Sequence, residues 1–83
     1  MAKLIETESE KMKISYKPLW HLMLDRSMKK IELRELAHLS TTTLAKLGRD
    51  ESVNLEMLLR ICSVLHCRIE DVVEFVEDKE ERI

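Results

Sequence analysis

The sequence predicts an all-α domain, a compact bundle of five short helices. Three observations point that way. The 83 residues include one glycine and one proline, which leaves almost none of the turn chemistry that a β-rich fold needs. Hydrophobic residues make up 45% of the chain and charged residues 36%, a balance that suits a small core inside a solvated shell. Leu55, Leu58, Leu59, Cys62 and Leu65 recur at i, i+3, i+4 and i+7 spacing, the strongest helical periodicity present. A chain of this length holds a single small domain.

The elements follow in order. Residues 1–12 are polar and lack sustained periodicity, which predicts a flexible arm ahead of a domain at 13–76. "KISY", Lys13 to Tyr16, alternates like a short strand. Pro18 sits where a first helical residue belongs, because its missing N–H would be unpaired there anyway. Leu19, Trp20, Met23 and Leu24 then share one face of a first helix that runs to about Ser27. Leu33, Leu36 and Ala37 mark a second helix, about Lys30 to Ala37. Ser40 is a good N-cap for a third, Thr41 to Leu47, which ends at Gly48. Asn54 caps the fourth, and a short fifth starts near Ile69 and continues through Val73. Residues 77–83 form an acidic tail. "KISY" and "EFVE" are able to pair as a small β element, within or between chains. The expected core is Trp20, Leu33, Leu44, Leu47, Leu58, Leu59, Cys62 and Leu65.

Composition narrows the function classes. No apolar run approaches the roughly 20 residues of a membrane span, and the N-terminus turns acidic by Glu6, unlike a signal peptide. The expected setting is cytoplasmic. Cys62, His66 and Cys67 suggest a metal for a moment. Zinc needs four ligands, and His21 and His38 offer no pair at recognisable spacing, so core thiols are the better reading. No glycine-rich phosphate loop, acid–base pair or nucleophile with its base is present, so neither an enzyme nor a cofactor is expected. Charge is uneven along the chain. Lys11 to Arg49 carries nine basic residues against three acidic ones, and Asp50 to Ile83 carries four against ten. A basic half beside an acidic half suits an oriented approach to a polyanion.

"KIELRELAHLSTTTLAKLGR", Lys30 to Arg49, resembles the helix-turn-helix of the phage-repressor family (the Cro and C1-repressor type). The span Ile14 to Phe75 resembles its five-helix domain. Two helices crossing over a tight turn must share a small core, and Leu33, Ala37, Leu39, Leu44 and Leu47 fall at the apolar positions of that motif. Two positions depart from the family pattern. Arg34 stands where a small residue is usual, and His38 where the turn usually has glycine. His66 likewise replaces a common C-cap glycine. Both histidines are expected at positive φ, which His adopts more often than most non-glycine residues.

The resemblance also accounts for three adjacent threonines at a helix start, a costly choice as filler because β-branched residues lose rotamer freedom there. In this motif the third helix enters the major groove. By the same resemblance Thr41, Thr42 and Lys46 match base-contacting positions, where a threonine can hydrogen-bond any base or pack its methyl on thymine. Thr43 is expected to face inward or toward the neighbouring helix. Lys30 and Arg49 lead the phosphate-contacting set, with Lys29, Ser40 and Asn54 beside them and Lys17 and Tyr16 as weaker members. The implied function is a sequence-specific double-stranded-DNA-binding regulator, a repressor acting as a homodimer. An antitoxin or a protein-interaction adaptor on the same fold is the alternative.

Overall fold

The computed structural model describes residues 11–78. In chain order they form β1 (Met12–Ser15), α1 (Lys17–Asp25), α2 (Lys30–Ala37), α3 (Thr41–Gly48), α4 (Leu55–Leu65), a single 3-10 turn (Ile69–Asp71) and β2 (Glu74–Glu77). The all-α expectation holds for the body of the domain, with one correction. Among the described residues there are four α-helices, and the expected fifth is one 3-10 turn. After it, Val73 leads into an extended strand. β2 lies antiparallel to β1 of the same chain, from Met12 opposite Glu77 to Ser15 opposite Glu74. The β-branched run at Val72 and Val73 favours that extended continuation over a helix. Met12 and Glu77, read from sequence as arm and tail, form the outermost pair of this ribbon.

The core is built from every helix. Leu19 and Met23 of α1, Leu33 and Ala37 of α2, Leu47 of α3, and Leu58, Ile61 and Leu65 of α4 are buried, with Val72 closing the base. The α4 face needs correcting. Leu59 was expected inside and is 65% exposed, while Ile61, absent from the expected core, is fully buried. Only Glu56, Arg60 and Ser63 interrupt the apolar surface of α4, so the spacing alone admits several buried arcs. Trp20, Leu44 and Cys62 are half-buried against the core.

The helix ends follow one device. Four non-glycine residues have positive φ: Ser27 at 55°, His38 at 55°, Asp50 at 57° and His66 at 52°. At each, the next residue donates its backbone N–H back over the turn, to the fifth residue before it: Met28 to Met23 at 2.9 Å, Leu39 to Arg34 at 2.9 Å, Glu51 to Lys46 at 2.9 Å and Cys67 to Cys62 at 3.1 Å. This is the Schellman closure, in which a left-handed residue turns the last carbonyls toward new donors. Both histidine expectations are met. The glycine is placed differently: Gly48 is the last residue of α3, with nothing near a would-be Cβ, and Asp50 takes the left-handed position.

Candidate nucleic-acid interface

α3 is held by little and leaves much exposed. Leu47 is its one buried residue, with Leu44 half-buried beside it. Ser40 caps the helix: its Oγ accepts from the Thr43 backbone N–H at 3.0 Å and donates to Thr43 Oγ1 at 3.1 Å. A serine cap stabilises a helix by about 1 kcal/mol. Thr43 is therefore turned into its own helix's cap and half-buried. Thr41 and Thr42 are exposed, and no hydrogen bond among the described residues uses their hydroxyls. Lys46 follows one turn later and is half-buried.

The phosphate candidates lie mostly at helix starts. Lys29 precedes α2, and its backbone N–H donates to Glu32 Oε1 at 2.7 Å. Lys30 places its Nζ 4.6 Å from the centre of the Trp20 ring, a cation–π contact that restrains an otherwise free ammonium. Lys17 lies one turn before Trp20 on α1, and its side chain is exposed. Asn54 is exposed and caps α4, with its Oδ1 accepting from Met57 N–H at 3.0 Å. The Ser40 hydroxyl, by contrast, is already engaged with Thr43 on both its donor and acceptor sides.

Arg49 is less free than the sequence suggests. Its Nε and Nη2 reach the two Glu51 carboxylate oxygens at 2.8 and 3.3 Å. The hydrogen bond from Arg49 holds the Glu51 carboxyl below its ordinary range and raises the guanidinium in turn. Tyr16 is removed from the contacting set altogether. It is 1% exposed, its hydroxyl donates to the Glu51 carbonyl at 2.8 Å, and its backbone N–H donates to Asp50 Oδ1 at 3.0 Å. Burial raises its pKa first, with the Asp50 charge adding to it. Tyr16 thus fastens the start of α1 to the link after α3.

One further contact, not foreseen from sequence, ties the turn between α2 and α3 to α4. Arg60 of α4 donates to the His38 carbonyl at 3.2 Å and pairs with Glu56 at 3.3 Å. Leu33, Ala37 and Leu39 are buried around the same turn, and Leu44 is half-buried. All five apolar positions of the motif therefore pack inward, and Arg34 is half-exposed.

With that geometry in place, a family model described as the Cro/C1-type helix-turn-helix DNA-binding domain matches residues 18–78. The chain belongs to the Cro/C1-type helix-turn-helix family. The crystal structure of transcriptional regulator VanUg, form II, superposes with a TM-score of 0.79 at 43% identity, covering 89% of this chain and 99% of that one. No curated protein matches. The Cro/C1-type family is defined by DNA binding and is not an enzyme class. No helix among the described residues is long and apolar enough to cross a membrane.

Proposed function

We propose that the protein is a sequence-specific double-stranded-DNA-binding transcriptional regulator, a repressor acting in the cytoplasm as a homodimer. α3 lies in the major groove, where Thr41, Thr42 and Lys46 meet base edges. Lys30 and Arg49 hold phosphates, joined by Lys17, Lys29 and Asn54, and by Ser40 once its hydroxyl proton turns from Thr43 Oγ1 to the phosphate. The observation that carries this reading is the first turn of α3: two exposed threonines with unengaged hydroxyls stand on a helix whose remaining contacts serve to hold it in place. The basic residues concentrated before Asp50 and the kinship with a structure described as a transcriptional regulator support it.

A dimer places two recognition helices about 34 Å apart on a pseudo-palindromic site. β1 and β2 pair within the chain, which leaves the exposed Leu55, Leu59 and Ile69 as apolar surface for a second copy. The test is binding to a site selected from random duplexes, measured across salt. Neutralising about 4–6 phosphates makes affinity fall steeply as salt rises. Binding that stays flat from low to moderate salt overturns the reading, and an obligate protein partner with no duplex binding favours the adaptor.

A further inference from the structure

The closure at the end of α4 differs from the other three in the side chains it brings together. In a Schellman motif the residue after the left-handed position packs against the residue five before it. Here those two are Cys67 and Cys62, joined through their backbones by the 3.1 Å bond over His66. Both are free thiols, and both are only half-buried. Cys62 also lines an open apolar cleft with Leu55, Leu58, Leu59 and Ile69, which a small reagent enters from solvent while no second copy covers it.

We propose that Cys62 and Cys67 are a dithiol modification site that closes to an intramolecular disulfide when the folded protein meets a small-molecule disulfide oxidant. Disulfide formation requires Cβ atoms about 3.5–4.5 Å apart, and two cysteines whose backbones are tied together across one fixed turn can approach that geometry without moving a helix. The exchange runs in two steps. The Cys62 thiolate attacks one sulfur of the oxidant, releasing the other half as a thiolate and leaving a mixed disulfide. Cys67 then loses its proton and attacks the Cys62 sulfur, displacing the second half. The protein loses two protons and two electrons, and the oxidant gains them as two thiols.

The order of attack follows from the surroundings of Cys67. Burial first, then the charge and hydrogen bond of Cys62, push its thiol up to about 11, so it keeps its proton at neutral pH. Once Cys62 is in a mixed disulfide, its charge no longer opposes ionisation of Cys67. The closed ring pins the left-handed turn at His66, which constrains the unfolded chain and raises the melting temperature.

The experiment treats the full, folded chain with oxidised glutathione and reads intact mass, the cysteine-linked peptides and melting temperature. The expected product is a monomer lighter by two hydrogens, with the Cys62 and Cys67 peptides joined, a higher melting temperature, and full reversal by dithiothreitol. Cys67→Ser should stop at a single glutathione adduct on Cys62, and Cys62→Ser, left with the half-buried Cys67 thiol, should stay largely unmodified over the same time. Stable adducts on the unaltered protein, a cross-linked dimer, or thiols that stay unmodified while the urea-unfolded chain reacts each overturn the proposal. None of these readouts depends on DNA.

Discussion

α3 and α4 begin alike and are used in opposite ways. Each opens on a side-chain cap, Ser40 for one and Asn54 for the other, and each leads into a left-handed residue that closes its last turn. α4 then buries Leu58, Ile61 and Leu65, and reaches over to hold the His38 carbonyl through Arg60. α3 buries Leu47 alone and turns Thr41 and Thr42 outward. One helix is a pillar and the other is presented by it. A small domain can therefore vary the exposed first turn of α3 without disturbing what keeps it folded.

The largest effect should come from the pillar. Ile61→Ala removes a fully buried side chain from α4 and should cost about 2–5 kcal/mol, enough to unfold much of so small a domain. Leu59→Ala, two residues earlier and exposed, should stay within about 0.5 kcal/mol. Urea denaturation of both variants checks this; equal losses would erase the distinction between the two faces of α4.

Caps come next. Ser40→Ala removes the hydroxyl that receives Thr43 N–H and should lower stability by about 1 kcal/mol. Because α3 has little else to anchor it, its amides should lose hydrogen-exchange protection before those of α4. Protection lost equally from both helices would mean α3 is no more lightly held than the pillar.

Smaller gains are expected at the helix ends. Gly48→Ala fills open space at a helical position with ordinary φ, and His38→Gly relieves a left-handed residue. Each should raise stability by about 0.5–1 kcal/mol. Asp50→Gly should not gain in the same way, because it also removes the acceptor for Tyr16 N–H. Thermal melting of the three variants separates the effects.

The smallest is electrostatic. Glu51→Gln releases Arg49 from its exposed carboxylate partner and should strengthen duplex binding by a few-fold at low salt, with the gain fading as salt screens it. The sign follows the direction of the carboxyl shift: Glu51 is held charged by Arg49, so neutralising it returns a full positive charge to the surface.

The sequence made much of this legible because local chemistry determined it. Ser40 and Asn54 announce caps, and the five apolar motif positions sit at offsets that only one helix crossing satisfies. His38 and His66 stand where positive φ was needed, and both adopt it. What was not legible depended on distant partners. Tyr16 looks like an exposed polar aromatic until the Glu51 carbonyl, 35 residues away, takes its hydroxyl. The segment after Ile69 has helical spacing, yet its strand partner lies at Met12 to Ser15. Ile61 and Leu59 could not be told apart on a helix that is apolar around most of its girth. In the candidate site, the exposure of Thr41 and Thr42 agreed with the sequence, whereas the grip of Glu51 on Arg49 emerged only from the folded link.

The most direct test compares Thr42→Ala with Lys30→Ala on a site selected from random duplexes and on single mismatches of it. If α3 reads bases, Thr42→Ala costs about 1–3 kcal/mol at the matched site and relaxes preference at one position. Lys30→Ala should weaken all sequences alike and lower the salt slope by about one. A folded Thr42→Ala protein with unchanged affinity and unchanged preference would contradict the assignment of α3 to the bases.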